Sequence, residues 1–250
     1  MERQNKGLKI IWEDDNLLVV DKPAGIVVYQ EEDDSTETLI KELLKRFPFL
    51  KNVGQAPRYG IVHRLDKETS GILLVAKNNK TLNFLQKEFK TRKVQKKYLG
   101  LVVGNLKSKR AIIETLIGKG PKNRRKQKVY LPLTPEAQTK GLRKAKTRYH
   151  VLKKFFDKKT CYSLLELIPE TGRKHQIRTH MSYIQHPIVG DKLYGFKKQP
   201  SPKGLSRHFL HARYLKIRLS DGKEKKFISD LPEDLKNVIK NLKGVDPPPL

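Results

Sequence analysis

The sequence predicts an α+β fold built on a largely antiparallel sheet. Many short apolar segments have the length and residue types of strands, whereas only a few segments show helical periodicity. The two kinds of segment do not alternate regularly, as they would in a parallel α/β protein. A hydrophobic content of 37% over 250 residues is enough to form a core.

The first half of the chain contains most of the short strands. Pro48 ends a helix whose apolar residues recur at helical spacing, and Asn78 or Asn79 is expected to cap a second helix. Residues 59–62 are strand-like, and residues 71–76 have the composition of a buried strand. The strands predicted here are 8–12, 17–21, 71–76, 98–103 and 111–117, and the first helix is 38–47.

The second half combines strand pairs with two short helices. Strands 147–156 and 162–167 are joined by a turn, and a second pair, 209–219 and 225–228, folds back around Asp221-Gly222. Helices are predicted at 175–184 and, with Pro232 in its first turn, at 232–242. We therefore expect one domain over residues 8–243, with tails at 1–7 and 244–250.

The charge balance favours a polyanionic partner. Lysine and arginine number 54 against 26 aspartate and glutamate, which gives a net charge of +28 and a pI near 10.1. A chain with this excess attracts RNA. Cys161 is the only cysteine, so the chain can form no internal disulfide, and a reducing cytoplasm is expected. Apolar runs are shorter than the roughly 18 residues of a membrane span, and we expect no membrane segment.

The run HRLDKETSG, residues 63–71, contains a candidate catalytic carboxylate. Asp66 follows Arg64 by two residues and lies between two apolar segments. Burial alone would neutralise such a carboxylate, whereas a neighbouring cation keeps it charged. If the run were a strand, Arg64 and Asp66 would share a face and could pair. The alternatives are a helix cap or a structural salt bridge for Asp66, and an RNA contact for Arg64.

This run also resembles the signature of the RluA-type pseudouridine synthases. Other segments of the chain are similar to the remaining motifs of that family, in the same order. The resemblance implies a mixed central sheet with flanking helices and a catalytic cleft across it. It further implies an enzyme that isomerises specific uridines of rRNA or tRNA to pseudouridine without a cofactor. The matching segments are 15–28, 63–71, 96–104, 169–181 with 186–195, and 209–217.

The resemblance also implies roles for individual residues. Asp66 is the catalytic aspartate, acting either as nucleophile or as base, and Arg178 is the arginine that pairs with it. Tyr98 is implied to stack on the uracil and to serve as base for the C5 proton, whereas the residue pattern alone would favour core packing. Arg64 is implied to reach into the RNA and fill the gap that the flipped base leaves.

Basic residues outside these positions are candidate RNA contacts. Arg173 and Lys174 precede a predicted helix, where their charge opposes the helix dipole unless a phosphate or Glu170 compensates it. The basic segment 119–128 is either an RNA contact or a solvated connector. The predicted RNA-binding residues are Arg64, His63, Arg173, Lys174, Lys122, Arg124 and Arg125.

No metal or nucleotide cofactor is expected. His175 and His180 are five residues apart, about 140° around a helix, and so do not share the face that an HExxH zinc site requires. The sequence contains no GxxxxGK[ST] loop for a nucleotide phosphate.

The partner and the domain organisation follow from these expectations. Many members of the family carry an S4-type RNA-binding domain ahead of the first motif, and here none is expected, so RNA affinity would come from the catalytic domain itself. We expect a monomer. The rival hypothesis is a non-catalytic RNA-binding or ribosome-assembly protein on the same fold, which charge alone cannot distinguish from an enzyme.

Overall fold

The structure is a computed structural model that describes residues 8–30, 37–121, 123, 125–132, 141–157 and 160–244. The chain separates into two compact units. Unit 1 comprises Met1–Gln95 and Ala212–Asp230, and unit 2 comprises Lys96–His211 and Leu231–Leu250. The strands described below pair antiparallel within each unit, which confirms the predicted α+β class.

The described residues form eleven strands, four α-helices and one 3-10 helix at Pro48–Asn52. The strands are β1 (Lys9–Glu13), β2 (Leu17–Lys22), β3 (Ser70–Ala76), β4 (Gln95–Val103), β5 (Arg110–Lys119), β6 (Gln127–Tyr130), β7 (Arg143–Asp157), β8 (Thr160–Pro169), β9 (Leu210–Arg218), β10 (Glu224–Ile228) and β11 (Lys243–Gly244). The helices are α1 (Leu39–Arg46), α2 (Asn79–Lys90), α3 (Gln176–Tyr183) and α4 (Glu233–Asn241).

In unit 1 the strand order is β1, β2, β3 and β9, with β10 paired to β9. β3 is buried along its whole length, as its apolar sequence predicts. Leu17 and Leu74 of the strands share a core cluster with Leu85 of α2. The side chain of Asn78 accepts a bond from Thr81 N at 2.9 Å, so the predicted cap of α2 is confirmed.

In unit 2 the strand order is β4, β8, β7, β5 and β6, and β11 pairs with β7. Successive residues of β4 face opposite sides of the sheet. Val102 belongs to a cluster that contains Ile177 of α3, whereas Leu101 belongs to one that contains Leu235 of α4. The two helices therefore cover opposite faces of this sheet.

The helix predictions are confirmed almost to the residue. Three helices had predicted ranges, and each begins one residue later and ends one residue earlier in the structure. The predicted ranges were 38–47, 175–184 and 232–242. The hairpin predicted around Asp221-Gly222 is confirmed as β9 and β10. Within the ranges that the structure describes, no helix is both long enough and apolar enough to cross a bilayer.

The strand-like residues 59–62 do not form a strand. They lie in a turn, and Ile61 alone makes an isolated antiparallel bridge, to Val75. Tyr59 has a left-handed backbone, with φ +45°, which bends the chain before the segment can run along β3. The strand propensity of these residues is therefore overridden by the turn that precedes them.

The basic segments on either side of residue 140 contain more strand than predicted. β7 begins at Arg143, opposite Ile117 of β5, whereas the predicted strand began at residue 147. Residues 127 and 128 of the expected loop belong to β6, which pairs with β5. Charged residues occupy these strands because alternate positions face away from the core, so their composition concealed the pairing.

Candidate active site

The loop that contains Asp66 is anchored to β3 at both ends. At its start, Val62 N donates to Leu74 O at 3.2 Å, and at its end the chain enters β3 at Ser70. Within the loop, Thr69 N donates to Asp66 O at 3.0 Å. Asp66 itself is half-buried. A polar side chain is thus presented on a short segment whose ends are both fixed by a buried strand.

Gly71 allows this segment to enter the sheet. It has φ +117°, and a side chain there would clash with the backbone of Ala212 in β9, whose carbonyl carbon lies 2.8 Å from the position of a Cβ. Only glycine adopts this conformation without strain and leaves room for the neighbouring backbone. The glycine of HRLDKETSG is therefore needed for the close approach of two chain segments.

His63 stabilises the start of the loop. Its Nε2 accepts a hydrogen bond from Leu74 N at 3.2 Å, and its ring stacks on Phe89 of α2 with 4.7 Å between centroids. The imidazole nitrogen thus accepts the hydrogen bond that Leu74 N of β3 would otherwise donate to a neighbouring strand. This geometry supports a structural role, and the predicted contact of His63 with RNA stays a prediction.

Lys22 holds the other side of the loop and is not among the site residues predicted from the sequence. Its side chain is fully buried at the end of β2. Its Nζ donates to the carbonyl oxygens of Pro23 at 2.7 Å, Ile26 at 2.9 Å and Lys67 at 3.0 Å. Gly25 N also donates to Lys67 O, at 2.9 Å. The residue next to Asp66 is thereby tied to the turn that follows β2.

Arg64 lies on the exposed side of the same loop. Residues 62–66 have no regular secondary structure, so the alternative in which Arg64 and Asp66 share one face of a strand does not apply. The Arg64 guanidinium lies 5.1 Å from the centroid of the buried Tyr29 ring, and the guanidinium of Arg58 lies at the same distance from that ring. Both arginines are exposed, and this position suits a cation that contacts RNA.

In unit 2, Tyr98 lies on β4 with its ring partly buried against the α3 cluster. Lys96 is two residues earlier and so lies on the same face of the strand. Its Nζ is 3.9 Å from the position that a side chain on Gly172 would take. Burial lowers the pKa of Lys96 from 10.5 to about 8. Lys96 is a second site residue that was not predicted from the sequence, although it lies two residues before the candidate tyrosine.

Arg178 forms a buried ion pair with Asp191. Its Nε donates to Asp191 Oδ2 at 2.7 Å and its Nη2 to Oδ1 at 2.8 Å, while Leu193 N and Tyr194 N donate to Oδ1 at 2.9 and 3.0 Å. Burial acts to raise the pKa of Asp191, but the hydrogen bonds and charge of Arg178 outweigh it and leave that pKa below its ordinary value. The pairing of Arg178 with Asp66, a residue of unit 1, stays a prediction.

A buried polar network fixes the start of α3. Gln176 Oε1 accepts from Thr171 Oγ1 at 2.6 Å and from Arg173 N at 3.0 Å, and Gln176 Nε2 donates to Thr147 Oγ1 at 2.9 Å. The side chain of Arg173 donates through Nε to Lys144 O at 3.0 Å. Lys174, next to it, is exposed. The network therefore sets the position of the backbone that carries both predicted RNA-binding cations.

The two histidines of α3 and its N-cap are engaged with protein groups. His175 Nδ1 lies 2.9 Å from Tyr194 Oη. His180 is fully buried, with Nε2 3.0 Å from Thr115 Oγ1 and Nδ1 2.9 Å from Thr147 Oγ1. Burial lowers the pKa of His180 to about 4, so the ring is neutral at physiological pH.

The basic segment after β5 is described only in part. Lys122 and Arg124 lie outside the described residues. Arg125 is exposed, and its backbone N donates to Asn123 Oδ1 at 2.9 Å. An exposed arginine in a connector between strands suits a backbone contact with RNA, which stays a prediction for this segment.

Comparison with known proteins gives consistent results. The family model described as RNA pseudouridylate synthase matches residues 16–183. The ribosomal large subunit pseudouridine synthase D of Borreliella burgdorferi is 40% identical over 231 residues, which cover 92% of this chain and 67% of the relative. The protein of the same name from Nitrosomonas europaea is 38% identical, over 95% of this chain and 66% of the relative. The chain thus spans about two thirds of the length of these curated relatives.

Among solved structures, the human RNA pseudouridylate synthase domain containing 1 is similar in fold. The TM-score is 0.76 at 28% sequence identity, over 98% of this chain and 91% of the human one. The human RNA pseudouridylate synthase domain containing 4 gives a TM-score of 0.74 at 25% identity, over 96% of this chain and 95% of the other. The arrangement of strands and helices described above is therefore shared with both.

Proposed function

Because the chain belongs to the RluA-type family of RNA pseudouridine synthases, we propose that it isomerises uridine in structured RNA to pseudouridine. The observation that carries this proposal is the family match over residues 16–183, which includes Asp66, Tyr98 and Arg178. The anchored loop around Asp66 adds the geometry that the chemistry needs, a polar carboxylate on a fixed backbone. Residues 8–243 are proposed to act as one catalytic domain.

The reaction needs few groups. The bond between uracil N1 and the ribose C1′ breaks, the base turns, and C1′ bonds to C5, which loses its proton while N1 gains one. Substrate and product are isomers, so neither an oxidant nor a phosphate donor takes part. Asp66 is proposed to act at the ribose, as nucleophile or as base. Its loop is held by β3 on one side and by Lys22 on the other, which would keep the carboxylate in place during the turn of the base.

Tyr98 and Arg178 are proposed to complete the site. Tyr98 would stack on the uracil and take the proton from C5. Arg178 would stabilise the ionised form of Asp66, and its bidentate contact with Asp191 would hold the guanidinium plane for this purpose. Lys96 would add positive charge on the face of β4 on which Tyr98 lies, where a detached uracil carries negative charge.

The target uridine must leave its stack to reach these groups. Arg64 is proposed to occupy the gap, because its guanidinium is exposed on the Asp66 loop and rests on Tyr29. Arg173, Lys174 and Arg125 are proposed to contact the RNA backbone. The curated relatives named above act on the ribosomal large subunit, so large-subunit rRNA is the substrate to test first, with tRNA second. The cytoplasmic location and the monomeric state stay predictions.

Asp66→Asn tests the proposed reaction. Transcripts of rRNA and tRNA labelled with tritium at uridine C5 release the label when pseudouridine forms, so release measures turnover directly. We expect the variant to lose at least about 100-fold in rate, the size of effect that removing a catalytic proton-transfer group produces. Asp15→Asn, the same change at an exposed turn, is the matched control and should keep the wild-type rate.

The same experiment separates the enzyme from the rival RNA-binding protein. A pure binding protein would release no tritium with any of these RNAs while still retaining them on a filter. If Asp66→Asn released tritium as fast as the wild type, Asp66 would not be the catalytic carboxylate.

A further inference from the structure

The loop from residue 192 to residue 206, here called the Phe196 loop, presents an aromatic ring among lysines. Phe196 is 52% exposed, compared with 41% for Phe49. Exposed lysines stand beside it at positions 192, 197 and 198, and a fourth follows at position 203. The segment contains no acidic residue. A single exposed phenylalanine is ordinary, but one surrounded by unopposed cations is typical of surfaces that bind single-stranded nucleic acid.

The ring is exposed although the loop is well anchored. Gly195 N donates to Asp191 O at 2.9 Å, Gln199 N donates to Phe196 O at 3.1 Å, and Gln199 Nε2 donates to Ile188 O at 2.9 Å. The Gln199 amide packs directly on Gly195, where a side chain would also come within 2.6 Å of Asp191 O. The backbone on both sides of Phe196 is therefore held, and the ring is kept in solvent by the shape of the loop.

A cavity of about 270 Å³ opens beside the ring. Its wall includes Asp191, the residue whose carboxylate is bound to Arg178, so the cavity borders a residue that holds a proposed catalytic arginine. The wall offers both apolar and hydroxyl groups, as a nucleotide requires. The residues that line it include Asp191, Phe196, Gln199, Ser201, Leu205 and Ser206.

The charges around the cavity select the ligand class. Within the described part of the chain, none of the four lysine side chains of the loop is paired with a carboxylate. Asp191, the nearest acidic residue in sequence, is buried and bound to Arg178. As far as the described residues show, the positive charge of this surface is not compensated by a paired carboxylate, and a polyanion gains from binding to it.

We propose that the Phe196 loop is an RNA-binding site that stacks one unpaired base of the substrate on Phe196 and binds its flanking phosphates with Lys197 and Lys198. The identity of the ligand as RNA rests on the proposed function. A base inside a duplex is already stacked on both faces, so an aromatic ring can add stacking only to an unpaired one. The site therefore distinguishes substrates by a single-stranded nucleotide near the target.

Phe196→Ala is the first test. Fluorescence anisotropy with a labelled single-stranded RNA of mixed sequence, and with a blunt RNA duplex of the same length, gives the two affinities. Loss of one stacked base should weaken binding of the single strand about tenfold and leave the duplex unchanged. Phe196→Trp should restore the affinity. Phe49→Ala, which truncates a phenylalanine that is 41% exposed in unit 1, is the matched control and should change neither value.

The lysines are tested by the dependence of affinity on salt. Each phosphate contact adds about 0.7 to the slope of log affinity against log salt for a single strand, so Lys197→Gln with Lys198→Gln should reduce the slope by about 1.4. Lys107→Gln with Lys109→Gln removes the same charge from two exposed positions and should leave the slope unchanged.

The outcomes separate this site from the catalytic proposal. Equal affinity of wild type and Phe196→Ala for the single strand overturns the site, whatever the tritium assay gives. Equal weakening for single strand and duplex overturns stacking on an unpaired base. Selective weakening supports the site even if no pseudouridine forms, because anisotropy measures binding without turnover. Circular dichroism spectra that match the wild type confirm that each variant is folded.

Discussion

Asp191→Asn should lower the free energy of unfolding by about 3–5 kcal/mol, because it breaks a buried ion pair and leaves the Arg178 charge uncompensated. The side chain of Asp191 is fully buried and that of Arg178 is 9% exposed, so water cannot replace the lost partner. Asparagine keeps one oxygen for the two backbone donors, but its amide group is a hydrogen-bond donor where Arg178 also donates. The structure therefore predicts a loss of unfolding free energy near the upper end of the range for single substitutions.

A second ion pair in unit 2 provides the control. Arg207 donates to Asp234 with the same bidentate pattern, at 2.7 and 3.2 Å, but the Asp234 side chain is 44% exposed. The Arg207 side chain is only 5% exposed, but water reaches the Asp234 carboxylate and screens the pair from that side. Asp234→Asn should therefore cost less, about 1–2 kcal/mol, including the contribution of Asp234 at the start of α4. The two variants change the same atoms, and their sites differ mainly in how deeply the carboxylate is buried.

Urea unfolding followed by circular dichroism compares the two variants with the wild type. The comparison should be repeated from pH 7 down to pH 3. The pKa of Asp191 is held below its ordinary value in the folded protein, so its contribution is present near neutral pH and is lost as the pH falls through that lowered pKa. The gap between wild type and Asp191→Asn should therefore narrow in acid. Equal losses for Asp191→Asn and Asp234→Asn at pH 7 would refute burial as the cause.

Three further predictions use other features of the two units. Lys22→Met should slow tritium release at least about tenfold, because the carbonyls that hold the Asp66 loop lose their shared donor. The same loss should lower the free energy of unfolding by about 2–4 kcal/mol in urea. Unchanged turnover would contradict the positioning role of Lys22. Gly71→Ala should cost at least about 3 kcal/mol through its contact with Ala212, whereas Gly222→Ala, with φ +84° and open space, should cost only about 1 kcal/mol in thermal unfolding; similar losses would argue against the contact. His180, with its folded pKa lowered to about 4, should make stability fall between pH 6.5 and 4 by about 3 kcal/mol, because the unfolded chain binds the proton first. His180→Gln should flatten that slope in acid unfolding curves, and a slope that survives the substitution would assign it to other groups.

Much of the fold could be predicted from local patterns. The apolar residues of α1 recur at helical spacing, and Asn78 precedes α2 with a side chain that can accept from its first turn, so the start and type of these helices follow from neighbouring residues. The hairpin at Asp221-Gly222 follows in the same way from its turn residues. The turn at Tyr59 and the strand β6 could not be found by such patterns, because the first depends on one backbone angle and the second on pairing with β5.

The candidate site divides along the same line. The motif around Asp66 identified the loop, and its glycine indicated a backbone constraint, since both lie within one short run. The role of Lys22 in holding this loop could not be seen there, because the carbonyl of Lys67 that its ammonium binds is 45 residues away in the chain. Phe196 could not be identified from the sequence for a similar reason. A phenylalanine is expected in the core, and only the fold shows that this one is exposed to solvent.

Sequence alone determined the family, the antiparallel α+β class and the candidate catalytic residues Asp66, Tyr98 and Arg178, because short motifs and periodicities are properties of neighbouring residues. Tertiary structure alone decided that Asp191 holds Arg178 and that Arg64 lies over Tyr29. The reason is physical: a buried charge is stabilised by whichever groups folding brings within a few ångströms of it, and those groups are selected by distance in space.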